Sequence, residues 1–393
     1  MKSFSRRTRF ASAAFIALTV ASQGIAWADP KSPEPAAPAN QRSGSAPRPP
    51  TPVNRPLAPL DIFLQQLVNG LTLGSVYAVV ALGYTMVYGI IQLINFAHGE
   101  VVMIGALTAY SVIVALTGAH VPLPALAIVL VGAMVAIPVC MAVGYTLERT
   151  AYRPLRKAPR LAPLITAIGL SIILQNLAMI IWSRNPLSYP QIIQTVPYHL
   201  TGNPNGATIT NVQIAILVTS VAMMGGLLAL VYRTKLGIAM RATAQNPQIA
   251  GLMGIDINRV ISLTFVIGAG LGAVAGVMVG SYYGIAHYQM GFLLGLKAFS
   301  AAVLGGIGNL AGAMLGGLLL GVIEALGAGY VGDLTNLCQL SGWFDALAQR
   351  CASDPNVTLF GSNYQDVFAF IVLILVLVFR PSGLLGERVA DRA

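Results

Sequence analysis

From Asp61 to Arg380 the chain is a succession of apolar runs separated by polar loops, and that pattern restricts it more than any motif does. The runs fall near 62–90, 93–116, 124–148, 162–182, 212–232, 260–281, 288–308, 311–331 and 365–380. At about 1.5 Å per helical residue, each is read as long enough to cross about 30 Å of hydrocarbon. Composition agrees: Asp, Glu, Lys and Arg make up 9% of the 393 residues, against about 25% in an ordinary soluble domain. So few charges cannot cover a water-facing surface. Soluble enzyme, nucleic-acid binder and disordered protein are poor readings, and the net charge of +10 reads first as cytoplasmic loops. The expected fold is all-α, a polytopic membrane protein with eight or nine spans. The runs 62–90 and 288–308 are broken by glycines, which allows a kink or a re-entrant path.

The first sixty residues differ. Lys2, Arg6, Arg7 and Arg9 precede the apolar run Phe10 to Ala21, and Ala26-Trp27-Ala28 follows. A basic start, a short apolar core and a small-x-small site predict a secretory signal peptide over 1–28. The alternative is a short first membrane helix, but the run falls well below the roughly twenty residues needed to span. Residues 29–60 hold ten prolines and no apolar cluster, which predicts an extended, exported linker. Residues 61–386 then form the membrane domain, and 387–393 a cytoplasmic tail.

Orientation follows from Lys and Arg. The loops 149–161 and 233–259 and the tail from Arg380 carry twelve of them, and the loops 183–211 and 332–364 carry two, Arg184 and Arg350. The first set is therefore expected in the cytoplasm, with the N-terminus outside and the C-terminus inside. Cys140 lies in an apolar span, where it behaves as a small hydrophobe. Cys338 and Cys351 share the exported loop 332–364. They are expected to form a disulfide, with two free thiols as the alternative.

No metalloprotease, zinc, nucleophile-elbow or calcium-loop pattern appears. None of the five lysines follows a glycine, so the chain has no phosphate-binding loop of its own. The four histidines are scattered, and neither a metal site nor a cofactor is expected. Glycine is abundant instead. Gly268, Gly272, Gly276 and Gly280 recur every four residues, as do Gly308, Gly312 and Gly316. Small residues at this spacing let membrane helices approach closely.

Polar groups inside the spans are the other signal. Asn95-Phe96-Ala97-His98-Gly99-Glu100 interrupts one apolar stretch, and Lys297 and Glu324 lie within two others. A charge at membrane depth costs at least about 2.5–3.5 kcal/mol unless paired or wetted. Asn95, His98, Glu100, Lys297 and Glu324 are therefore candidates for a substrate pathway. Snorkelling toward an interface and a structural Lys297–Glu324 pair are the plainer readings.

The segment 237–256 is unusual for a connector. Ile238, Met240 and Ala244 precede Pro247, and Ile249, Leu252, Met253 and Ile255 follow it. This pattern predicts two short amphipathic helices, with Asn246 capping the second and Pro247 at its first position. Together with Arg241 and Gly254, these residues form a candidate docking surface for a partner protein. A helix lying on lipid is the alternative.

Several segments carry a family resemblance: Leu71-Thr-Leu-Gly-Ser-Val-Tyr-Ala, Gly83-Tyr-Thr-Met-Val-Tyr-Gly-Ile-Ile, Ile94-Asn-Phe-Ala-His-Gly-Glu, Glu148-Arg-Thr-Ala-Tyr-Arg-Pro-Leu-Arg, Leu263-Thr-Phe-Val-Ile-Gly-Ala and Lys297-Ala-Phe-Ser-Ala-Ala-Val-Leu-Gly-Gly-Ile-Gly. Together they resemble the LivH-type permease of bacterial high-affinity branched-chain amino-acid ABC importers. The resemblance covers about 61–331 and 365–386, and leaves out the N-terminal extension and the loop 332–364. It implies a transport subunit rather than an enzyme, in the bacterial inner membrane, moving Leu, Ile or Val. It also implies a second, LivM-like permease, two cytoplasmic ATP-binding subunits and a periplasmic amino-acid-binding protein. The stretch Arg241–Asp256 then matches the helix that couples to the ATPases. Urea or short amides are the competing substrates within the family. A self-contained ion-coupled carrier or channel, with Glu100 and Glu324 as proton sites, is the reading from another class.

Overall fold

The computed structural model describes residues 59–93, 95–156, 158–159, 161–202, 206–334, 365–380 and 382–386. The signal peptide, nearly all of the linker, the tail, and both Cys338 and Cys351 lie outside the described residues. Nine apolar helices occupy the nine apolar runs. They are α1 (Pro59–Ile91), α2 (His98–Gly118), α3 (Ala125–Leu155), α4 (Leu161–Ile181), α5 (Asn211–Arg233), α8 (Ile257–Tyr283), α9 (Met290–Gly305), α10 (Leu310–Leu334) and α11 (Gln365–Phe379). Between α5 and α8 lie the short helices α6 (Lys235–Gln245) and α7 (Pro247–Leu252). Two minimal antiparallel ladders sit at the opposite end of the bundle from α6 and α7. In one, β1 (Leu187–Ser188) pairs with β4 (Ile285–Ala286); in the other, β2 (Pro197–His199) pairs with β3 (Thr208–Thr210).

Seven of the described helices are long and apolar enough to cross a membrane; the described part of α11, 15 residues for the run 365–380, is not, and neither is α9. Its 16 residues reach about 24 Å at helical rise, short of a hydrocarbon core of about 30 Å. The run 288–308 is therefore no full span, because Gly284 at φ 68°, Gly306 at φ 109° and Gly308 at φ 95° leave the helix on both sides. By contrast, 62–90 forms one continuous helix despite its glycines. The run 93–116 begins as a helix only at His98. Gln92 has φ 56°, and the chain turns through Asn95, whose carbonyl accepts from His98 N–H at 3.0 Å. Near residue 332 the helix also outlasts the expectation, with α10 continuing to Leu334.

Local chemistry explains the helix ends outside lipid. The Thr210 hydroxyl accepts from Gln213 N–H while the Gln213 side chain returns to Thr210 N–H, a capping box that starts α5. Thr234 starts α6 and Asp256 starts α8, each accepting from a first-turn N–H.

Two glycine seams hold the bundle. On α8, Gly276 stands against the Val102 carbonyl and Ala106 of α2, Gly272 against Val102 and His98, Gly268 against Gly83 of α1, and Gly280 against the Tyr189 ring. On α10, Gly312 and Gly316 stand against Gly305 and Ala301 of α9. The opposite face of α10 sets Gly317 and Gly321 against Ala78, Gly74 and Gly70 of α1. Gly308 belongs to neither seam. A Cβ there would meet nothing within 4 Å, and its positive φ makes it a turn residue between α9 and α10 rather than a packing residue.

Candidate functional site

The first turns of α2 and α9 meet halfway up the bundle. A Cβ on Gly99 would stand 2.9 Å from Gly295 Cα, and one on Gly291 would stand 2.8 Å from Glu100 Oε2. Only glycine permits this crossing. The height follows from the neighbours: Glu100 bonds Ser171, midway along α4, and His98 packs beside Gly272, midway along α8. Each helix N-terminus carries a partial positive charge of about half a unit, so the junction favours an anionic group. Discontinuous helices meeting at mid-depth are how many transporters build a polar site inside lipid.

Glu100 is fully buried at this junction. Its Oε1 accepts from Ser171 Oγ at 2.8 Å and from Gln175 Nε2 at 2.7 Å. Its Oε2 has no protein partner and lies against Gly291. His98, also buried, stacks edge-on against Tyr84 with ring centroids 4.9 Å apart. Beside it, Tyr84, Thr85, Tyr88, Phe299, Ala302 and Ile307 line a cavity of about 10 Å³. That is room for one water molecule and not for an amino acid.

The five pathway candidates do not form one cluster. Asn95 sits at the foot of α2, where its Oδ1 accepts from Tyr152 Oη at 2.8 Å. His98 and Glu100 occupy the junction itself. Lys297 and Glu324 pair at 2.7 Å between α9 and α10, with Tyr77 of α1 donating to the same carboxylate oxygen at 3.3 Å. Helix α9 connects the last two groups, carrying Gly291 against Glu100 and Lys297 against Glu324.

Sequence reasoning passed over Tyr77, Tyr84, Tyr152, Ser171, Gln175 and the pair Glu148–Arg156. Ser171 and Gln175 did leave a signal, being polar, four apart and hence on one face of a helix whose other polar residues are Thr166 and Asn176. Glu148 and Arg156 were read only as part of a motif and a basic loop. In the fold they form an ion pair with Glu148 fully buried. Burial lowers the Arg156 pKa, and the neighbouring Glu148 acts in the opposite sense.

At the basic end of the bundle, α6 and α7 form the expected pair. The Asn246 side chain accepts from Gln248 N–H at 3.0 Å and Ile249 N–H at 3.1 Å, with Pro247 at the first helical position. Gly254, at φ 84°, closes α7 in a Schellman turn: its N–H reaches the Gly251 carbonyl, and Ile255 N–H reaches that of Ala250. Met240 and Ala250 are buried, and Arg241 lies over the Tyr232 ring at 5.2 Å. Ile238, Ile249, Leu252 and Met253 are exposed, Leu252 at 86%.

A family model described as the permease component of the branched-chain amino acid transport system matches residues 66–377. The chain belongs to that permease family. The match includes the α2–α9 junction, the Lys297–Glu324 pair and the α6–α7 hairpin, and runs across the segment 332–364. The high-affinity branched-chain amino acid transport permease BraD of Pseudomonas aeruginosa is 47% identical over 326 residues, covering 83% of this chain and 96% of BraD. LivH of Escherichia coli K12 is 43% identical over 327 residues, with the same coverage. A probable LivH of Methanocaldococcus jannaschii is 25% identical, covering 81% of this chain and 91% of that protein. No solved structure matches this permease.

Proposed function

We propose that this chain is the permease subunit of an ATP-driven importer carrying leucine, isoleucine and valine across the inner membrane. The observation that carries the reading is 47% identity over nearly the whole of BraD, a branched-chain amino acid permease. A chain without a phosphate-binding loop must receive ATP-driven motion through a surface, and the exposed apolar side of α7 suits two cytoplasmic ATP-binding subunits. A second, LivM-like permease and a periplasmic binding protein complete the assembly. The N-terminus is periplasmic and the C-terminus cytoplasmic, as the distribution of Lys and Arg requires.

The substrate route passes the α2–α9 junction, where His98 and Glu100 lie, above Asn95 at the foot of α2. Its narrow cavity corresponds to a closed state. The Lys297–Glu324 pair braces α9 beside that route.

The test is uptake of radiolabelled leucine in a strain lacking its own leucine importers. The chain is expressed with its partner subunits, with either intact or hydrolysis-dead ATPases. Uptake that needs intact ATPases, and that urea and acetamide do not compete for, is expected. Uptake that persists without ATP hydrolysis would replace the reading with an ion-coupled carrier, and competition by urea would change the substrate class.

A further inference from the structure

The coupling hairpin and the mid-membrane junction are separated by half the height of the bundle, yet a series of bonded side chains joins them, from exposed Asn258 and half-buried Ser262 and Arg156 to buried Glu148, Tyr152 and Asn95. The connection runs through an anomaly in α3. From Glu148 to Tyr152 the helix widens to a single π turn, with Arg153 N–H bonded to the Glu148 carbonyl five residues back. Such turns are rare in helices and concentrate at functional sites. This one buries Glu148, Ala151 and Tyr152 toward the body of the bundle.

Both ends of the turn contact α8, and one reaches past it to Asn95. Glu148 Oε2 accepts from Ser262 Oγ at 2.6 Å, while Glu148 Oε1 pairs with Arg156, whose Nη1 donates to Asn258 Oδ1 at 2.7 Å. Asn258 and Ser262 lie in the first two turns of α8, the helix that leaves α7 through the Gly254 turn. Tyr152 packs its ring on Phe265, also of α8, at 5.1 Å, while its hydroxyl donates to Asn95 Oδ1. Asn95 in turn accepts His98 N–H through its carbonyl and so starts α2, the helix that carries His98 and Glu100. A displacement of α7 therefore shifts the foot of α8. That foot is bonded to the π turn, and the π turn is bonded to the residue from which α2 begins.

We infer that Glu148 and Tyr152 are positioning residues that carry ATP-driven movement of α7 to the start of α2, through Ser262 and Asn258 on one side and Asn95 on the other. The inference rests on α7 being the ATPase contact. It assigns a task to the π turn, which sets Glu148 and Tyr152 together on the buried side of α3.

The test uses the whole complex, purified and reconstituted into liposomes with its binding protein, reading leucine transported per ATP hydrolysed. Tyr152→Phe removes one hydroxyl, and Ser262→Ala removes the other contact. Both variants are expected to retain both ATPases and to hydrolyse ATP, while transport per ATP falls by about fivefold or more, the lower end of couplings between distant sites. Ser220→Ala is the control. It deletes an equally buried hydroxyl, bonded at 3.0 Å to the Ser75 carbonyl, and should leave the ratio unchanged. A ratio within about twofold of wild type in Tyr152→Phe, or an equal fall in Ser220→Ala, overturns the inference. Should Tyr152→Phe fail to assemble, Ser262→Ala at the rim of the cluster decides alone. A wild-type complex that keeps no ATPases would instead overturn the importer reading itself, which sets the two failures apart.

Discussion

The Lys297 ammonium lies 2.7 Å from Glu324 Oε1, with Glu324 buried and Lys297 half-buried between α9 and α10. Twenty-seven residues separate the two in sequence. Removing one partner of such a pair leaves an uncompensated charge and costs about 3–5 kcal/mol, whereas replacing both by apolar groups is often close to neutral. Glu324→Gln and Lys297→Met should each lower the thermal midpoint in detergent, and Lys297→Met/Glu324→Leu should recover most of the loss. Recovered stability with leucine uptake still absent would move Lys297 from bracing into the substrate route.

Glu100 joins α2 to α4 through one oxygen and leaves the other at the junction. Glu100→Gln preserves the shape but replaces the carboxyl group at the junction by an amide, so leucine uptake should fall to background in an assembled complex. Stability should drop by about 1–3 kcal/mol, the usual cost of disturbing buried hydrogen bonds. Uptake at the wild-type level would place the route elsewhere.

Both faces of α10 set glycines against backbone, whereas Gly225 of α5 faces open space. A Cβ on Gly74 would stand 2.8 Å from Leu318 Cα, and one on Gly317 would stand 2.5 Å from Ala78 Cα. Backbone lies on both sides of that seam and cannot yield locally. Gly317→Leu should fail to accumulate as folded protein, since overpacking by even a few methylenes costs about 1–3 kcal/mol. Gly225→Ala, where nothing in the chain lies within 4 Å, should fold normally and gain about 0.5–1 kcal/mol of helix propensity. Fluorescence size-exclusion profiles of tagged variants would separate the two outcomes.

Leu252 is 86% exposed on α7. Leu252→Asp would put an unpaired charge into the ATPase contact, where burial costs several kcal/mol. The permease should still insert, but its ATPases should be lost on purification and uptake should vanish. Both ATPases retained at wild-type stoichiometry would refute the docking surface.

The orientation can be checked by thiol labelling in whole cells, in a background lacking Cys140, Cys338 and Cys351. His199→Cys, exposed near the β2–β3 turn, should react with an impermeant reagent. Gln248→Cys, exposed on α7, should be protected until the cells are opened. The reverse pattern would invert the topology.

What could be read in advance depended on distance along the chain. The α6–α7 hairpin was legible down to its cap, because Asn246 bonds N–H groups only two and three residues away. The break at Asn95–His98 was visible as polarity. Its consequence, a helix starting at half height, was not, since it depends on Gly99 meeting Gly291.

The amino-acid sequence by itself determined the membrane class, eight or nine apolar spans and their order, and the Asn246 cap that starts α7. These follow from hydropathy summed over about twenty residues and from bonds between near neighbours. Tertiary structure alone decided that Glu100 meets Ser171 and Gln175, that Tyr77 joins Lys297 and Glu324, and that Gly308 is a turn while Gly317 and Gly321 are a seam. The physical reason is that lipid is as apolar as the bundle interior, so a membrane helix needs no polar face to mark its outside. Which side of each helix turns inward was therefore left to steric fit between glycines and to bonds between polar groups far apart in sequence.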